Sequence, residues 1–216
     1  MKRFVFNGWA AGPETWARCT FPRSRVFSYI DALDGIAERE LAEEDEFVLV
    51  GFSMGGTLAL QTLLRHPEKV RGLVLVSATP CMAEKATEGW RGMNDRRIAA
   101  FRKGVQLMHP DDGSPWLNEA NLDRGLAYLR TTDIRRQLVD FATTRRPDFP
   151  VSILQSERDG IVRPQNAEFL KDVFPQAEVT IVPGNAHDLP LTVPDLIDAA
   201  VSAVGELARK AGESIR

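Results

Sequence analysis

Three residues set the chemistry open to this chain: a serine hemmed by glycines, one well-placed histidine, and an aspartate just past an apolar run. Ser53 stands in Phe47-Val48-Leu49-Val50-Gly51-Phe52-Ser53-Met54-Gly55-Gly56. The apolar run before it reads as a strand and the segment after it as a helix, so Gly-x-Ser-x-Gly fills a strained strand-to-helix turn that lifts the hydroxyl clear of the sheet. The same turn aims the backbone N–H of Met54 at a developing oxyanion. A glycine-rich phosphate loop or a plain tight turn is the competing use of these glycines. A serine hydroxyl is a weak nucleophile without a base, and there are only three histidines. His66 ends the helix behind the serine, and His109 precedes a proline in a loop. His187, in Pro183-Gly184-Asn185-Ala186-His187-Asp188, follows a strand and is the expected base. Asp159, in Asp159-Gly160-Ile161-Val162, gives the chain order Ser, Asp, His and is the expected orienting carboxylate. Asp31 and Asp188 compete for that role. A second oxyanion donor is expected from the Trp9 backbone N–H, with Gly8 permitting close approach.

These residues need a scaffold that gathers strand ends. Apolar runs at 3–6, 26–30, 47–50, 73–77, 151–155 and 179–182 are continuous rather than alternating, as expected of strands buried on both faces of a parallel sheet. Helical spacing fills the gaps at 34–44, 57–65, 164–174 and 194–210, so the class is α/β, a doubly wound, mostly parallel sheet. Residues 1–81 and 147–216 form the core. Residues 82–146 show no strand; two helical segments, 95–108 and 122–143, are expected to make a small helical lid over the carboxyl ends of the strands. A pair of ordinary crossover helices is the alternative.

The whole chain has 216 residues, 44% of them hydrophobic and 26% charged, with a net charge of −3. That is one globular domain with no overall attraction to nucleic acid or anionic membrane. Two cysteines make no disulfide framework, and no stretch reaches membrane-spanning length, so a cytoplasmic location is expected. No metal-ligand spacing is present and no cofactor is expected. Within 82–146, twelve Lys and Arg face nine Asp and Glu. Arg124, Arg130, Arg135 and Arg136 could meet an acidic protein or a phosphopantetheine partner; the alternative is a solvated helix face neutralised by Asp123, Asp133 and Asp140. Trp9, Phe52, Met54 and Trp90 could line an apolar acyl site, although aromatics of this kind also serve as packing.

Asn7-Gly8-Trp9, Gly51-Phe52-Ser53-Met54-Gly55-Gly56, Arg65-His66-Pro67-Glu68-Lys69-Val70, Asp159-Gly160-Ile161-Val162 and Gly184-Asn185-Ala186-His187 together resemble the α/β-hydrolase superfamily over nearly the whole chain. Gly8-Trp9 with Trp16, Ser77-Ala78-Thr79-Pro80-Cys81 with Trp90, and the stretch Leu126 to Arg135 resemble the BioH-type pimeloyl-acyl-carrier-protein methyl ester carboxylesterases. The resemblance implies a serine carboxylesterase acting on an acyl methyl ester, in biotin synthesis, with an acyl-carrier protein as partner. It also implies a fold whose leading hairpin is missing here, since the chain starts at what would be the third strand. Asn7 replaces a family histidine that braces the oxyanion loop, and the lid is shorter. A general short-chain esterase, a thioesterase, or an enol-lactonase or carbon–carbon bond hydrolase would use the same triad. A ligand-binding protein on a hydrolase scaffold is the non-enzymatic alternative.

Overall fold

The computed structural model describes residues 1–21, 24–83, 94–108 and 113–213. Six strands, β1 (Lys2–Phe6), β2 (Ser24–Phe27), β3 (Phe47–Phe52), β4 (Val70–Val76), β5 (Val151–Ser156) and β6 (Glu178–Val182), make one sheet in the order β2-β1-β3-β4-β5-β6. Every neighbouring pair is parallel. The antiparallel pairing seen among the described residues is an isolated bridge between Cys81 and Asp133. Chain order reverses between β1 and β3, which opens a crevice at their carboxyl ends.

Strand alternation sorts the core into two layers. Phe4, Phe6, Leu49, Leu73, Leu75 and Ile153 face one side, against α1 (Tyr29–Leu33), α2 (Ile36–Ala42), α3 (Met54–Arg65) and α7 (Gln165–Val173). Val5, Val48, Val50, Val74, Val76 and Leu154 face the other, covered by α8 (Leu189–Thr192) and α9 (Pro194–Glu213). On α9 the buried residues Ile197, Val201, Val204 and Ala208 fall on one stripe. Gly72 of β4 leaves room for it, since a Cβ there would lie 2.5 Å from Val204 Cγ1.

Two expected elements differ. The run 26–30 is not all strand: β2 stops at Phe27, and Tyr29 and Ile30 open α1. Ser28 forms a capping box with Asp31, its hydroxyl accepting the Asp31 N–H at 3.2 Å while the Asp31 carboxylate accepts the Ser28 N–H at 2.8 Å. The segment 122–143 is two helices, α5 (Glu119–Thr131) and α6 (Arg135–Arg145), rather than one. Thr132 turns extended, Asp133 bridges to Cys81, and the Ile134 N–H donates to the Pro80 carbonyl at 3.0 Å. α4 (Asp95–Met108) precedes them, and Leu126, Leu129, Leu138 and Phe141 join the same core as the sheet.

Candidate active site

Ser53 sits between β3 and α3 with φ +55° and ψ −121°, a conformation a non-glycine residue adopts only under constraint. The flanking glycines supply that constraint. A Cβ on Gly51 would lie 2.6 Å from the Gly55 carbonyl oxygen, and one on Gly55 would lie 2.0 Å from the Phe6 carbonyl oxygen. Gly56 contributes as well: a Cβ there would meet the Ala78 side chain at 2.3 Å. Strand, helix and the end of β1 are therefore packed backbone to backbone, and any side chain at these positions would drive them apart.

His187 reaches Ser53 from the loop after β6. Its Nε2 lies 2.9 Å from Ser53 Oγ, and its Nδ1 lies 2.7 Å from Asp159 Oδ2. The carboxylate is acceptor-only, so this pairing selects the tautomer with hydrogen on Nδ1 and leaves Nε2 free to accept the serine proton. Asp159 is buried at 4% exposure, and its other oxygen accepts the N–H groups of Ile161 and Val162 at 2.7 and 2.9 Å. Those bonds stabilise the ionised carboxylate without drawing it from the imidazole. The arrangement can take a proton from a serine and hold the resulting imidazolium, which is the chemistry of acyl transfer.

The carboxylate that meets His187 Nδ1 is that of Asp159 and not of Asp31 or Asp188. Asp31 caps α1, and Asp188 precedes α8, its backbone carbonyl accepting the Leu191 and Thr192 N–H groups. His66 closes α3 against Glu38, and His109 lies outside the described residues.

The loop after β1 lies against the serine, since a Cβ on Gly8 would be 3.1 Å from Ser53 Cβ. Met54 is the first residue of α3, where a backbone N–H has no acceptor within its own helix. The Trp9 side chain ties this loop to the neighbouring helices. Its Nε1–H donates to the Leu122 carbonyl at 2.9 Å, and its ring centroid lies 5.7 Å from that of Phe101. The Met54 side chain is fully buried in the core, and Phe52, 3% exposed, packs edge-on to Trp16 with its ring 5.2 Å from His187. Trp90 lies outside the described residues. Asn7 is buried, and its Oδ1 accepts the Trp16 indole N–H.

Sequence reasoning missed a second set of polar groups. The Gln155 side-chain amide donates to the Val162 carbonyl at 3.0 Å and reaches Asp159 Oδ2 at 3.5 Å. Ser77 Oγ donates to the His187 carbonyl at 3.0 Å, and Ser156 Oγ donates to the Ala186 carbonyl. The available signal was a polar residue closing an apolar strand run, as in Leu73 to Ser77 and Val151 to Ser156.

The expected docking arginines are engaged within the chain. Arg124 pairs with Asp34 at 2.5 Å, Arg130 with Asp95 at 3.0 Å and Arg135 with Asp133 at 2.6 Å. Arg136 is 93% exposed and touches Asp140 only at 3.9 Å. Among the described residues, no three His, Cys, Asp or Glu side chains come together to hold a metal ion, and no helix is long and apolar enough to cross a membrane.

A family model described as the alpha/beta hydrolase fold matches residues 7–112. The pimeloyl-[acyl-carrier protein] methyl ester esterase of Yersinia enterocolitica is 29% identical over 200 residues, covering 77% of this chain and 72% of that protein. Its counterpart from Edwardsiella ictaluri is 27% identical, covering 91% and 90%. Among solved structures, the esterase EaEST from Exiguobacterium antarcticum superposes with a TM-score of 0.67 at 19% identity, covering 95% of this chain and 92% of that one. A bromoperoxidase from Bacillus anthracis gives 0.67 at 18%, with the same coverage. With its parallel sheet and its serine held in a strained strand-to-helix turn, the chain has the α/β-hydrolase fold.

Proposed function

We propose that this chain is a serine carboxylesterase in which Ser53 is the nucleophile, His187 the general base and acid, and Asp159 the group that orients the imidazole. Ser53 Oγ attacks the ester carbonyl as its proton passes to His187 Nε2. The tetrahedral oxyanion is held by the N–H groups of Trp9 and Met54. Collapse expels the alcohol, which takes the proton from His187. Water then attacks the acyl-enzyme with His187 again as base, releasing the acid and restoring Ser53. The observation that carries this reading is the unbroken line of contacts from Ser53 Oγ through His187 to Asp159, at 2.9 and 2.7 Å, starting from a serine held at φ +55°.

The substrate is an acyl methyl ester, and pimeloyl-acyl-carrier-protein methyl ester is the member of that class supported by the names of the relatives. Residues 1–81 and 147–216 are the hydrolase core, and 82–146 are a helical cap contributing Phe101 and Leu122 against Trp9. An acidic carrier would dock by exchanging its carboxylates for those now paired with Arg124, Arg130 and Arg135, with the exposed Arg136 free to meet it first.

The test is hydrolysis of the carrier-bound methyl ester beside free dimethyl pimelate and short p-nitrophenyl esters, with Ser53→Ala as control. A salt-sensitive preference for the carrier-bound ester supports the full reading. Activity on small esters alone keeps the triad and removes the carrier. Full activity in Ser53→Ala overturns the assignment.

A further inference from the structure

We infer that Ser77 and Ser156 act as a paired clamp that sets the direction of the His187 side chain, making both positioning residues for the hydrolysis proposed above; the inference rests on that reading. The Ala186 carbonyl belongs to the peptide unit that enters His187, and the His187 carbonyl to the unit that leaves it. Ser156 Oγ, at the end of β5, donates to the first, and Ser77 Oγ, just past β4, donates to the second at 3.0 Å. With both flanking peptide planes fixed, φ and ψ of His187 are fixed, and with them the Cα–Cβ vector that carries the imidazole. Both serines are fully buried.

These hydroxyls act on the backbone of the histidine loop, whereas Asp159 acts on the imidazole itself. The loop leaves β6, an edge strand, and passes through Gly184 at φ +108°. Apart from the imidazole's own bonds to Asp159 and Ser53, it is fastened by main-chain bonds, from the Arg158 N–H to the Gly184 carbonyl and from the Leu189 N–H to the His187 carbonyl, each 2.9 Å. The serine hydroxyls are side-chain groups that tie its backbone to the ends of two interior strands, β4 and β5. Ser77 also holds φ +44°, a left-handed conformation that glycine adopts without strain. Glycine at 77 would relieve the backbone but remove the hydroxyl that reaches His187.

This separates aiming from stability. Because the His187 carbonyl keeps its bond from Leu189, removing the Ser77 hydroxyl leaves no orphaned acceptor. The experiment measures kcat and KM on a short p-nitrophenyl ester, and the inactivation rate constant with a fluorophosphonate, for Ser77→Ala, Ser77→Gly, Ser156→Ala and the double alanine variant. Rates are taken per titrated active site and thermal melts are recorded in parallel. Each single variant is expected to lose about tenfold in kcat and in inactivation rate with KM nearly unchanged, and the double variant about 10². Ser77→Gly is expected to melt no lower than Ser77→Ala while losing as much turnover. Wild-type kcat in both alanine variants, or wild-type turnover in Ser77→Gly, overturns the clamp. His187→Ala is the reference arm: if it leaves the inactivation rate unchanged, the triad reading itself fails, whereas a large loss there with none in the serine variants removes only the clamp.

Discussion

Replacing Gly55 with alanine tests whether the serine turn and the loop after β1 are built as one rigid contact. The added Cβ would lie 2.0 Å from the Phe6 carbonyl oxygen and 2.7 Å from that of Asn7, both under the 3.0 Å below which Cβ contacts essentially never fall. Both neighbours are main-chain atoms and cannot swing aside, so the two backbones must part by about 1 Å to relieve the contact. Forced expansion of a packed core costs about 1–3 kcal/mol. In a chain of this size that lowers Tm by about 2–12 °C. The displacement falls on the strand end three residues before Trp9, and about 1 Å of misplacement among catalytic groups costs about 10² in rate. Gly56→Ala is the matched control, since its clash is with the Ala78 side chain at 2.3 Å and not with the end of β1. Ala78→Gly removes the obstructing methyl, so Gly56→Ala/Ala78→Gly should recover most of the turnover lost in Gly56→Ala. The assay is ester hydrolysis per titrated active site beside thermal melts. The reasoning is refuted if Gly55→Ala turns over like wild type, or if the compensated Gly56 variant remains as impaired as Gly55→Ala.

Asp159→Asn should keep the turn, because an amide oxygen still accepts the Ile161 and Val162 N–H groups, yet lose about 10³–10⁴ in kcat by favouring the wrong imidazole tautomer. Melting unchanged with turnover lost is the expected pair of results. Burial pushes the Cys19 and Cys81 thiols up to about 11. Both should therefore react slowly with a disulfide reagent at neutral pH and readily after denaturation, read as thiol released with time. The Arg135 guanidinium holds the Asp133 carboxyl below its ordinary 3.8, so the stability this pair adds is present above that value and lost as pH falls through the lowered one. Asp133→Asn should accordingly melt below wild type at pH 7, with the gap closing in acid.

The three polar groups of the site were legible because each closes a strand with its own local signature: glycines around Ser53, Asp-Gly at Asp159, and a glycine loop before His187. The sheet was legible for the same reason, its strands being continuous apolar runs. Where sequence reading fell short, a local contact outweighed pattern. Tyr29 and Ile30 look like strand residues, but Ser28 and Asp31 cap a helix there. Residues 122–143 keep helical spacing, but a bridge between Cys81 and Asp133 interrupts them. Ser77 and Ser156 show in the sequence only as polar residues closing apolar runs; their role was not legible because their partners are carbonyls 110 and 30 residues away, and no side-chain pattern records a backbone acceptor. Of the arginines, Arg135 and Arg136 meet the local carboxylates Asp133 and Asp140, whereas Arg124 and Arg130 pair with Asp34 and Asp95, which lie on segments the arginine cluster does not contain.

The order of strands has a consequence for the life of the molecule. Ser53 follows β3, in the middle of the sheet, while His187 arrives 134 residues later on the loop of β6, the last strand and an edge. A growing chain therefore exposes its alcohol long before it possesses a base, and until β6 docks on β5 that alcohol is as unreactive as any surface serine. Hydrolytic power therefore waits on the docking of β6, and is forfeited if the edge strand peels away. Turnover thus reports completed assembly: half-built copies are harmless to the esters around them.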